Sequence, residues 1–272
     1  MIQTLKNLLK YHELIEVLAW KSILVRYKQA YFGLAWSVLK PLCLLFIFVL
    51  VKGFVGIESG PIPYPILTFA ALMPWIFFQE SASEGVGSVV AHGALIKKIY
   101  FPREVFPLTA TVTKLIELGI NFVLLAGLMI YFRMVPSIHI LWVPLIILYT
   151  VVVSLAVSFA GAAVYVYYRD VGQALPIFFS LMMYASPVLY PLSLVQQTLL
   201  VNQDAGKWSQ LIYGLYVSNP LTGIIDAFQK TLLYREAPDL SILWPGMLLT
   251  ALLLPLSYLI FKKAETFFAD VI

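Results

Sequence analysis

The sequence predicts an all-α polytopic membrane protein with six transmembrane helices, an N-terminal amphipathic interface helix, and short re-entrant or interfacial helices between spans five and six. Apolar residues fill 61% of the 272 positions and charged residues 12%, against about 45–50% and about 25% in a soluble domain. The mean hydropathy of +0.89 belongs to a chain whose main solvent is lipid. The apolar positions also collect into runs near the roughly 20 residues that a helix, rising about 1.5 Å per residue, needs to cross hydrocarbon.

Residues 1–36 are the least membrane-like stretch, with Leu5, Leu8, Leu9, His12, Ile15 and Glu16 at roughly helical spacing and basic residues at Lys6, Lys10, Lys21, Arg26 and Lys28. This reads as a helix lying along the membrane surface. The membrane domain then covers 37–272, with spans expected at about 37–56, 65–90, 107–132, 140–167, 171–190 and 242–261. Gly53, Gly56, Gly60, Pro61, Pro63 and Pro65 separate the first two. A loop at 92–103 follows the second, Pro136-Ser137 turns between the third and fourth, and Tyr168-Arg169-Asp170 joins the fourth to the fifth. Residues 191–238 are too polar for one span. Leu221, Ile224, Ile225, Phe228 and Leu232 nevertheless form an apolar stripe after the helix-start signal Asn219-Pro220, so one or two short helices are expected there.

An even number of spans puts both termini on one side. The flanks on that side hold Lys6, Lys10, Lys21, Arg26, Lys28, Lys40, Lys97, Lys98, Arg103, Lys114, Arg169, Lys262 and Lys263; the other side keeps Lys52, Arg133, Lys207, Lys230 and Arg235. The basic excess predicts cytoplasmic termini and accounts for the net charge of +4 without nucleic acid. The segment from Met1 to Lys6 leads into mixed polar and apolar sequence, so no removable signal peptide is expected.

Several chemistries are not expected. Cys43 is the sole cysteine, which excludes an intrachain disulfide and a cysteine metal cage. His12, His92 and His139 lie in separate segments, so no metal site is expected. No G-x-x-x-x-G-K-[ST] loop occurs to cradle a nucleotide phosphate. Gly85-Val86-Gly87-Ser88 ends a membrane helix rather than a strand, which sets aside a dinucleotide loop.

Charges inside spans are costly and often functional. Glu80 and Glu84 share one helical face, as a polar channel lining or as a structural patch facing other helices. Lys114 and Glu117 read as a helix-surface ion pair near the cytoplasmic end. Tyr27, Tyr31, Phe32 and Trp36 beside Arg26 and Lys28 form either an interfacial aromatic belt or a ledge where rings stack on sugars and cations meet phosphate. The stretch Leu95 to Glu104, with Lys97, Lys98, Tyr100, Phe101 and Arg103, either rests on the membrane or docks into a soluble partner with its aromatics as anchors.

Four stretches together resemble the permease subunits of type-2 ABC exporters for bacterial cell-surface polysaccharides, the O-antigen, capsule and teichoic-acid exporters. They are Val25-Arg26-Tyr27-Lys28-Gln29 with Gly33-Leu34-Ala35-Trp36 and Lys40-Pro41; Leu95 to Pro107; Tyr168-Arg169-Asp170-Val171 leading to Ser186-Pro187-Val188-Leu189-Tyr190-Pro191; and Asn219-Pro220-Leu221-Thr222 with the C-terminal Glu265-Thr266-Phe267-Phe268-Ala269-Asp270. The resemblance implies a homodimer in the bacterial inner membrane, bound to two copies of a separate ATPase and moving a lipid-linked polysaccharide. ATP and Mg would sit on the partner, and this chain would bind no cofactor. By the same resemblance, Leu95, Lys97, Lys98, Tyr100, Phe101, Arg103 and Glu104 would couple to the ATPase. Arg26, Tyr27, Lys28, Tyr31, Phe32 and Trp36 would lie at the cytoplasmic entrance, and the short helices of 191–238 at the outer mouth.

Competing readings are a type-2 exporter of teichoic acid, drugs or small lipids, a membrane-embedded glycosyl or lipid transferase, and a secondary transporter. A transferase needs convergent acid, base or metal groups, for which the cytoplasmic loops offer only scattered charges such as Glu104 and Asp170. A secondary transporter leads one to expect inverted repeats, and no repeat is evident.

Overall fold

The computed structural model describes residues 11–28, 31–56, 60–98, 101–201 and 207–271, which are mostly helical and contain no strand. Helix α1 runs His12–Tyr27, α2 Trp36–Val55 and α3 Tyr64–Ala91. After the single turn α4, Gly93–Ile96, come α5, Val105–Tyr131, and α6, Val143–Tyr167, led in by a 3₁₀ turn at Ile138–Trp142. Helix α7 covers Val171–Tyr184. Short helices α8, Leu192–Gln196, α9, Lys207–Ser218, and α10, Pro220–Gln229, follow. Helix α11, Leu240–Glu265, and the terminal turn α12, Phe268–Val271, complete the chain.

Among the described residues, four helical segments are long and apolar enough to cross a membrane: Trp36–Val55, Val105–Tyr131, Ile138–Tyr167 and Leu240–Glu265. Each leaves most of its surface outside the protein, as a lipid-facing helix should. Helix α3 is long enough to cross, but its role differs. Every residue from Ile66 to Phe78 is buried, so α3 is the central rod. It packs most extensively against α6 and α5 and also meets α2 and α10. A helix apolar on all sides belongs inside. Pro74 lies within it without ending it, and its missing N–H leaves the Ala70 carbonyl without its helical donor.

Small residues let the rod approach α6 closely. A methyl group built on Gly85 would meet Ser158 Oγ at 2.2 Å, and one on Gly161 would meet Val86 Cγ2 at 2.4 Å. The glycines that superficially suggest a nucleotide loop thus include a helix-contact residue, in line with the small-residue interfaces of membrane helices.

The fifth span, expected over 171–190, stops as a helix at Tyr184. The residue before a proline is pushed out of the helical region, and Pro187 imposes that on Ser186. Asn219 then holds the break through a 2.9 Å hydrogen bond from Nδ2 to Ser186 Oγ. Among its described residues the 191–238 region holds three short helices where one or two were expected, with the Asn219 side chain capping α10 by accepting from the Leu221 N–H at 3.1 Å. Two π-helical turns, Gln197–Val201 and Lys230–Tyr234, interrupt it.

Candidate functional site

Helices α1, α2, α3 and α5 bring together six charged side chains that the sequence scatters over ninety positions. Lys114 of α5 reaches Glu80 at 2.9 Å, Glu84 at 2.8 Å and Glu117 at 2.9 Å. Arg26 of α1 pairs with Glu84 and Glu117, both at 2.7 Å. Lys40 of α2 pairs with Glu80. Three cations thus face three carboxylates. Tyr27 donates to Glu117 Oε1 at 3.2 Å, and Asn121 Nδ2 donates to the Glu117 carbonyl at 3.2 Å.

Lys114 and Glu117 are therefore not the surface pair that their spacing suggests. Their side chains are 5% and 8% exposed, because α1, α2 and α3 cover this face of α5. For Arg26, outside the spans, burial works against the charged form, but Glu84 and Glu117 more than compensate and raise its pKa further above the usual range. Burial also raises the pKa of the Tyr27 hydroxyl, reinforced by Glu117. This tyrosine therefore remains a neutral donor.

The network lines a cleft of about 490 Å³ that also includes Trp36, Gln79 and Asn121. Glu80 and Glu84 are consequently both cleft lining and structural patch. Of the aromatic ledge, only Tyr27 and Trp36 line the cleft. Tyr31 and Phe32 are exposed and stack edge to face with Trp36 in a ladder, with ring centres 5.2 Å apart for Tyr31–Phe32 and 5.7 Å apart for Phe32–Trp36. Lys28 is exposed at the end of α1. Sequence reasoning left Lys40, Lys114 and Glu117 out of the site. The available signal was complementary charge on neighbouring spans, Glu80 and Glu84 on one and Lys114 and Glu117 on the other.

Of the aromatics expected as anchors on this loop, Phe101 turns inward. Phe101 is buried, edge-on to Phe106 with ring centres 5.3 Å apart. Ile96 and Phe101 join Phe261 and Phe268 in one apolar cluster that also takes Leu18 of α1. Glu104 is wholly buried, paired with Lys262 at 2.5 Å and accepting from the Tyr258 hydroxyl at 2.9 Å. The Arg103 backbone N–H donates to Glu265 at 3.2 Å, with its guanidinium 3.8 Å from the same carboxylate. The physical reason is apolar burial: the loop closes over the ends of α6 and α11. Lys97 and Lys98 remain exposed and Leu95 half-buried, while Tyr100 lies outside the described residues.

The structure thus holds a charge-balanced cleft among α1, α2, α3 and α5, and separately a loop clamped to the last long helix by the Glu104–Lys262 pair. A family model described as ABC-2 type transporter matches residues 13–233. The O-antigen export system permease protein RfbA of Myxococcus xanthus is 28% identical over 100% of both chains. A protein of the same name from Klebsiella pneumoniae is 29% identical, covering 96% of this chain and 95% of that one. With the family model spanning most of its length, the chain belongs to the ABC-2 type transporter membrane family.

Proposed function

We propose that this chain is the membrane-spanning permease subunit of an ATP-driven exporter that carries a lipid-linked, O-antigen-like polysaccharide from the cytoplasm across the bacterial inner membrane. The observation that carries this reading is full-length similarity to permeases named for O-antigen export. In this reading two copies of the chain enclose the path and two copies of a separate ATPase, holding ATP and Mg, supply the work. Helices α2, α3, α5, α6, α7 and α11 make six crossings, with both termini cytoplasmic by the basic-residue count. At about 1.5 Å per residue α7 is too short to cross alone, so the turn after Tyr184 completes that passage.

The cleft at Arg26, Lys40 and Lys114 then opens near the cytoplasmic surface. The exposed Lys28 at the end of α1 suits the phosphate that joins a sugar chain to its lipid, and Tyr27 and Trp36 in the cleft offer ring faces to the first sugars. The loop bearing Lys97 and Lys98 faces the ATPase, and the buried Glu104–Lys262 pair ties that loop to α11. A deletion strain should lose surface polysaccharide while lipid-linked polymer accumulates inside, and the tagged chain should bring down an ATPase. Undiminished surface polysaccharide in the deletion strain would reject this function.

A further inference from the structure

A second polar cavity lies at the opposite end of α3. Its volume is about 450 Å³, within the roughly 300–1,000 Å³ typical of small-molecule sites. It reaches Pro61 just before α3, and Gln229 on its wall donates from Nε2 to the Leu67 carbonyl at 3.2 Å. From Tyr64 to Glu84 the rod rises about 30 Å, one hydrocarbon thickness. The charged cleft follows this rod from Met73 to Glu84, and the second cavity lies beyond the rod's other end.

The backbone around the second cavity departs from regular helix. Both π-helical turns contribute to its wall, Gln197 from one and Lys230 and Tyr234 from the other. Arg235 then adopts a left-handed φ of 60°, which folds the chain back so that the Glu236 N–H donates to the Lys230 carbonyl at 3.2 Å. Such features concentrate at functional sites. On the wall, Asp226 is 8% exposed and pairs with Lys230 at 3.0 Å, and Lys230 is held from its other side by Asp239 at 3.6 Å.

These observations select a ligand chemistry. Lys230 is fully engaged by carboxylates, so an incoming anion finds no spare cation, and Glu236 repels it. The carboxylates and the amides of Gln197 and Gln229 instead offer paired donors and acceptors, which is what ring hydroxyls need. Tyr234 adds an aromatic surface. We infer that this cavity is a binding subsite for an uncharged sugar unit, distinct from the charged cleft at the other end of α3. The inference rests on the export reading, for which it supplies a second contact with the polymer.

The test uses the full chain with its ATPase in lipid nanodiscs and saturation-transfer NMR. The probes are methyl α-mannopyranoside, methyl β-galactopyranoside and, as the charged control, glucuronate. A neutral glycoside should receive saturation from the protein, at least threefold more than glucuronate. Gln197→Ala, at an exposed position, should cut that transfer at least threefold, as should Asp226→Asn. Should Asp226→Asn fail to fold, Gln197→Ala decides alone. Absence of transfer in the unmodified protein, transfer unchanged by Gln197→Ala, or transfer to glucuronate equal to that of the neutral sugars would overturn the inference. Loss in Lys40→Met with retention in Gln197→Ala would place the sugar in the other cleft and also overturn it. The deletion strain separates the two readings. If surface polysaccharide disappears on deletion while no glycoside binds, only the cavity assignment fails; if it persists on deletion, the export reading fails.

Discussion

Replacing Lys114 by methionine keeps the bulk of the side chain and removes one charge from the centre of the network. In the folded protein that charge meets three carboxylates within 2.9 Å while only 5% of the side chain is exposed. Breaking a buried pair from one side costs roughly 3–5 kcal/mol, because the partner stays buried and uncompensated. Here each carboxylate keeps one other cation, Arg26 for Glu84 and Glu117 and Lys40 for Glu80. The lower end, about 3 kcal/mol, is therefore expected. Lys40→Met is the control, since its side chain is 52% exposed and, among the described residues, its ion pair is with Glu80 alone; it should cost about 0–1 kcal/mol. Adding Glu84→Gln to Lys114→Met restores the balance of charge and should recover part of the loss. Thermal unfolding of the purified protein in detergent, followed by tryptophan fluorescence, ranks the variants. A Lys114→Met protein that melts with the wild type, a larger effect from Lys40→Met, or a double variant less stable than Lys114→Met would refute the reasoning.

Further perturbations address other parts of the molecule. Lys262→Met leaves the wholly buried Glu104 with the Tyr258 hydroxyl as its remaining side-chain partner. The expected cost is roughly 3–5 kcal/mol, together with weaker coupling of ATP hydrolysis to export; unaltered melting and coupling would count against the clamp. Gly85→Val forces a side chain against Ser158 and should destabilise by about 1–3 kcal/mol, whereas Gly87→Val, with nothing within 4 Å of its built methyl group, should be far milder; equal melting of the two would contradict the tight α3–α6 contact. Tyr27→Ala removes a cleft-lining ring and a donor to Glu117 and should lower surface polysaccharide several-fold. Tyr31→Ala, at a ring 96% exposed, should lower it less; the reverse order in a cell-surface polysaccharide assay would move the important aromatic out of the cleft.

Hydropathy and helix punctuation made most of the fold legible. Long apolar runs mark α2, α5, α6 and α11 to within a few residues, and Asn219-Pro220 marks the start of α10. Composition could not show that α3 is enclosed on all sides, since a lipid-facing helix and a protein-facing one can be equally apolar. Nor could it show that Phe101 and Glu104 turn inward, because their burial depends on Phe261 and Lys262, far along the chain. At the charged cleft, Arg26, Tyr27, Trp36, Glu80 and Glu84 were visible as unusual residues. Their assembly around Lys114 was not, because helical spacing relates residues within one helix and is silent about rotation between helices. The second cavity depends on π turns and a left-handed Arg235, for which a run of ordinary residues such as Lys230–Tyr234 carries no local signal.

Pro74 gives the central rod a mechanical character. With one hydrogen bond missing, α3 has its softest joint at Pro74, ten residues from Tyr64 and seventeen from Ala91, and each arm carries polar groups toward its far end. Glu84 lies about 15 Å from that joint. A tilt of about 10° there therefore carries the carboxylate nearly 3 Å, about the length of one ion pair. A small angular change in the arm beyond Pro74 is thus enough to break the pairing of Arg26 and Lys114 with Glu84, while the arm on the other side of the joint, and the cavity beside it, stay in place.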